Sequence, residues 1–120
     1  MKERDITAKV LKSMRDDPRF GTCAVEIKIV HGKTLNGKAL KEHQYRALTI
    51  ANKDRMYHKI VDAGYQNPFD AVVLKHVDAY LVIYFDTKPV NVWAIPIAKV
   101  TEGRSVTLTW AIENGVLVNC

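Results

Sequence analysis

Cysteine is scarce in this chain, and the two present, Cys23 and Cys120, form no Cys-x-x-Cys motif and have no histidine-rich segment beside them. Neither structural zinc nor a disulfide framework therefore organises the fold. The four histidines, His31, His43, His58 and His76, are scattered without ligand spacing and read as surface or hydrogen-bonded side chains. No apolar run approaches the ~20 residues of a membrane span, and the N-terminal segment is polar and charged rather than a signal sequence. These absences predict an intracellular, cytoplasmic protein in a reducing compartment, with no membrane partner. Internal repeats and low-complexity segments are also missing, which excludes solenoid and fibrous architectures.

What is present is an ordinary globular composition with an uneven charge. The 120 residues suit one domain spanning 1–120, long enough for a hydrophobic core without covalent staples. Eighteen Lys and Arg against thirteen Asp and Glu leave a formal charge of +5, which favours an anionic partner such as nucleic acid.

The most informative stretch is residues 23–30. Read with a period of two, Cys23, Val25, Ile27 and Ile29 share one face while Ala24, Glu26, Lys28 and Val30 share the other. A carboxylate and an ammonium thus stand side by side on a strand whose back is buried. The plain alternative for this Glu-x-Lys is a surface ion pair.

Around that strand the periodicity predicts a helix over 3–16, with Ile6, Val10, Leu11 and Met14 inward and Asp17-Pro18 ending it. The glycine-bearing 31–38 segment reads as a basic loop leaving the strand, and 40–52 as a second helix with Leu40, Ala47, Leu48 and Ala51 on its stripe. Beyond it, 54–68 reads as mainly irregular, with a short strand near 58–61. Three strands follow: 69–75, the almost continuously apolar 79–85 buried on both faces, and 90–100, where Pro96 argues for an edge position. Residues 86–89 are a turn by composition, and 105–114 fits either a strand or a short capped helix. The order helix, strand, helix, then strands predicts an α/β or α+β domain with a mixed sheet.

Hydrolysing a phosphodiester requires a divalent cation held by carboxylates, a cation near the attacking water and stabilisation of the growing phosphate charge. Glu26 and Lys28 supply one ligand and that cation. For the second carboxylate the choices are Asp70, at a strand start after Pro68-Phe69, and Asp62, as an additional or substitute ligand. A rival set combines Asp70 with Asp86-Thr87-Lys88, although Lys88 precedes a proline. Lys33, Lys38, Lys41 and Arg46 are candidate phosphate contacts.

Ala24-Val25-Glu26-Ile27-Lys28, a loop, Lys41-Glu42-His43-Gln44 with Leu48, then Ala79 to Phe85 and Val92-Trp93-Ala94-Ile95-Pro96 follow one another in an order that resembles the second half of RecU-type Holliday-junction resolvases. Those proteins, like small phage-encoded nucleases, belong to the PD-(D/E)xK superfamily, and the resemblance covers roughly residues 23–100. It implies a restriction-endonuclease-like mixed sheet flanked by helices and a Mg²⁺-dependent nuclease, with Mn²⁺ as a substitute. Branched DNA would be its partner, and the host cytoplasm its compartment in a viral setting. By the same resemblance Glu26 is the metal-binding acid, Lys28 the catalytic lysine and Gln44 the helix glutamine, with Glu3 or Asp5 loosely matching an acid on the first helix.

The pattern departs at one point. The superfamily usually carries its metal-binding aspartate on a strand before the Glu-x-Lys strand, and only residues 19–22 separate that strand from the first helix here. Asp70 would then be a permuted ligand from later in the chain. A symmetric junction also implies a homodimer with two sites, to which the apolar tail with Trp110, Val116, Leu117 and Val118 would contribute. The alternative function is a non-catalytic nucleic-acid-binding or accessory protein that keeps the fold without the metal site.

Overall fold

A computed structural model of the protein describes residues 2–60 and 68–120. Helix α1, Glu3–Asp16, buries Ile6, Val10 and Met14 at helical spacing. It carries Glu3 and Asp5 in its first turn and Arg15 in its last, which suits the helix dipole. The helix stops at Asp17, extended before Pro18 because that proline disfavours a helical conformation in its predecessor. Asp17 then accepts hydrogen bonds from the Arg19 backbone and guanidinium, whose hydrogen bonds hold its carboxyl below the usual range.

Strand β1, Cys23–Val30, pairs in parallel with β5, Asp78–Phe85, each residue of 23–30 facing its counterpart in 78–85. A parallel pair needs a long crossover, and helix α2, Glu42–Lys53, is part of this one. β5 also pairs antiparallel with β6, Asn91–Pro96, which pairs antiparallel with the two-residue β8, Val116–Leu117. The central sheet therefore runs β1-β5-β6-β8, a mixed sheet in a mixed α/β domain.

Each face of that sheet has its own core. On one side Leu81, Ile83, Phe85 and Ile95 pack with Leu40 and Leu48 under α2, and with Ala111 of α3, Leu108–Asn114. On the other, Val82, Tyr84, Val92 and Ala94 pack under Ile6, Val10 and Met14 of α1. β5 is the shared inner strand, which explains its unbroken apolar sequence.

Three expectations change. β6 is an inner strand rather than an edge: Pro96 is its last residue, and β8 reaches only Trp93 and Ala94, so the proline lies beyond that pairing. The 105–114 segment is both of its alternatives, a two-residue strand β7, Val106–Thr107, followed by α3, with Thr107 Oγ1 capping Trp110 N at 3.1 Å. β4, Ala71–Lys75, pairs with β3, Arg55–Lys59, in a two-stranded sheet of its own. The intervening strand β2, Thr34–Leu35, pairs with β7.

Cys23 is half-buried and Cys120 exposed. Burial and the adjacent Asp78 raise the Cys23 thiol pKa, which lowers its thiolate fraction at neutral pH. Brief iodoacetamide treatment of the native protein is therefore expected to label Cys120 well ahead of Cys23, as read by peptide mass spectrometry. Among the described residues no helix is long and apolar enough to cross a membrane.

Candidate active-site cleft

The alternation read for β1 is realised in space. Cys23, Val25, Ile27 and Ile29 lie with the α1 core and Ala24 and Val30 with the α2 core, so Glu26 and Lys28 project toward α2. Gln44, in the first turn of α2, donates from Nε2 to Glu26 Oε1 at 2.7 Å. Its own Oε1 accepts from Lys41 N at 3.0 Å, where the helix would otherwise leave an orphan donor. One side chain thus caps the helix and clamps the carboxylate. Both ends of its amide are engaged.

These groups line a cleft of about 640 Å³ along the outer edge of β1, between that edge and α1. Glu3, Ile6, Thr7 and Leu11 of α1 form one wall; Glu26, Lys28 and Gln44 lie on the other, with His31 also lining the cleft. Lys28 makes no ion pair among the described residues. The surface-ion-pair alternative for Glu26 and Lys28 is thus not what forms: Glu26 is held by an amide, and the neighbouring ammonium is left for another anion.

The predicted second carboxylate is not part of this group. Asp70 precedes β4, and its carbonyl accepts from Ile60 N at 2.8 Å at the outer end of the β3–β4 hairpin. It does not line the cleft. The physical reason is strand pairing: β4 takes β3 as its neighbour instead of entering the central sheet beside β1. Asp62 lies outside the described residues. In the rival set, Asp86 faces His31, Nδ1 to Oδ2 3.1 Å, rather than Asp70.

Two cleft features were faint or invisible in the sequence. Glu3, only loosely matched, lines the cleft, whereas Asp5 does not. The His31–Asp86 pair arises because Val30 and Phe85 are in register, so the residues that follow them emerge side by side. No local spacing announces it. Among the described residues there is no group of three or more His, Cys, Asp and Glu placed to hold a metal ion.

Lys33, Lys38, Lys41 and Arg46 are all exposed. Lys33, Lys38 and Lys41 lie on the connection between β1 and α2, while Arg46 sits on α2 in an exposed pair with Glu42. No protein-family model matches the chain, and no curated protein or solved structure is significantly similar to it.

Proposed function

We propose that this protein is a metal-dependent, structure-selective DNA endonuclease of the Holliday-junction-resolvase kind, hydrolysing phosphodiesters. The observation that carries the reading is the Gln44 clamp on Glu26 beside Lys28, in a cleft bordered by an exposed basic connection. A carboxylate fixed by one oxygen keeps the other for a ligand. Mg²⁺ is commonly bound by one or two carboxylates, with water and substrate phosphate completing its shell; Glu26 would be the first of these, and Glu3 also lines the cleft. When bound, the ion would lower the pKa of a water and neutralise charge on the phosphate.

The chain's own contributions follow from their positions. Glu26 would hold the ion, and Gln44 would keep the carboxylate in one rotamer. Lys28, two residues along the same face, would orient the attacking water and offset charge on the phosphate. Lys33, Lys38, Lys41 and Arg46 would bind backbone phosphates without regard to sequence. Replacing Lys33, Lys38 and Lys41 together by alanine is expected to weaken DNA binding for every sequence and to flatten the slope of log K against log salt by about 2–3. A fluorescence-anisotropy salt series checks this.

The deciding experiment incubates the protein with a labelled four-way junction and a matching linear duplex, with Mg²⁺ or with chelator. Metal-dependent cutting of the junction supports the reading. Tight binding of the junction without cutting favours the second reading, an accessory DNA-binding protein on the same fold. That reading draws on the position of Asp70, which does not line the cleft.

A further inference from the structure

β1 is an edge strand eight residues long, and among the described residues no strand pairs with its outer side. The Val30 carbonyl accepts from Asp86 N at 2.7 Å on the β5 side. Backbone N–H and C=O groups of one strand residue point the same way and alternate between neighbours, so those of Val25, Ile27 and Ile29 point outward. Their side chains are only half-covered, and Leu11 beside them is 43% exposed. Such an edge invites another strand, and Lys28 is its single obstructing cation.

The sequence of this edge is complementary to itself. We propose that its partner is a second copy of the chain, the two β1 strands pairing antiparallel about a two-fold axis through Ile27 and joining the two four-stranded sheets into one. In that register Ile27 meets Ile27, Val25 meets Ile29 and Ala24 meets Val30 of the second copy. The outward-pointing backbone groups of 25, 27 and 29 find one another as hydrogen-bonded pairs. Glu26 falls opposite Lys28 of the second copy in a non-hydrogen-bonded pair, where Cα atoms approach to about 4.5 Å and side chains are closest.

Neighbouring registers lose this match. Centring the axis on Glu26 or Lys28 sets like charges face to face and leaves the backbone groups out of step with the two-fold. An axis on Val25 or Ile29 leaves Glu26 opposite Ala24 or Gly32 and Lys28 opposite Thr22 or Val30. Only the axis at Ile27 satisfies charge, apolar face and hydrogen bonds together.

The pairing stands independently of the nuclease reading and competes with it for one space: a second β1 along this edge fills the part of the cleft lined by Val25 to Ile29, so the dimer must part there to admit DNA. The four charges alternate in sign around a rectangle, with the second copy's Glu26 on the diagonal about 7 Å from the first. In the paired state Glu26 and Lys28 are thus engaged across the interface.

The test is sedimentation equilibrium of the full chain over a concentration series, on wild type, Glu26→Lys and the charge-swapped Glu26→Lys/Lys28→Glu protein. Wild type is expected to dimerise. The single variant, with cations facing cations at both ends, should self-associate at least roughly tenfold more weakly, and the swapped variant should return to within about threefold of wild type. Both variants lose the Gln44 contact, so recovery in the second separates pairing from folding. Hydrogen exchange adds a local readout: the amides of Val25, Ile27 and Ile29 should slow as concentration rises. A wild type that stays monomeric, a dimer indifferent to the single change, or exchange at those amides independent of concentration would each overturn the proposal. Cleavage is not read in any of these measurements, so their failure and that of the nuclease reading are distinguishable.

Discussion

Replacing Glu26 by alanine is expected to remove metal-dependent junction cleavage, with a loss on the order of 10³-fold or more, because the cleft then keeps Glu3 as its only carboxylate among the described residues. Glu26→Gln is the sharper variant. It keeps size and a carbonyl oxygen that accepts from Gln44, and removes only the charge, so it should be about as inactive as Glu26→Ala. Gln44→Ala should be intermediate, losing roughly 10–100-fold, since it frees the carboxylate to rotate without removing it. Single-turnover cleavage rates over a Mn²⁺ titration distinguish the three: Gln44→Ala should recover part of its rate at high metal, and the two Glu26 variants should not. Full activity in Glu26→Gln would sink the assignment of Glu26 as the metal-binding carboxylate.

Phe85→Ala should cost about 3–5 kcal/mol of stability. The side chain is fully buried at the end of β5, among the largest in the core, in the cluster that joins α2 to the central sheet. A domain of this size holds roughly 5–15 kcal/mol in total, so the melting temperature should fall on the order of 10–20 °C. Phe69→Ala is the control. Its ring is 63% exposed outside the central sheet, and its removal should change stability by less than about 0.5 kcal/mol. Thermal unfolding followed by circular dichroism, at equal protein concentration, reads both.

Legibility followed the range of the interactions. Helix α1 was readable because its buried residues repeat at helical spacing and Pro18 ends it, both local facts. β5 was readable because a strand covered on both faces must be apolar throughout. Glu26 and Lys28 are readable because a strand's period of two sets them on one face, whereas the 2.7 Å contact of Gln44 with Glu26 joins residues 18 apart and has no local signal. Asp70 misled for that reason too. Its strand was recognisable, but no local feature says whether a strand will pair with β3 or enter the central sheet. Pro96 misled in a milder way, since a proline at the end of an inner strand and one within an edge strand look alike in sequence.

Periodicity alone sets the composition of each layer: which faces of α1, α2 and β1 are apolar, that β5 is internal, and that Glu26 and Lys28 share one face. Those properties depend on periodicity, which is local. Long-range packing is what sets β1 at the sheet edge, brings Glu3 of α1 to the same cleft, joins His31 to Asp86 and keeps Asp70 with the β3–β4 hairpin. Each of these depends on which distant segments pair, and pairing is settled by the burial of whole surfaces rather than by the residues at the site.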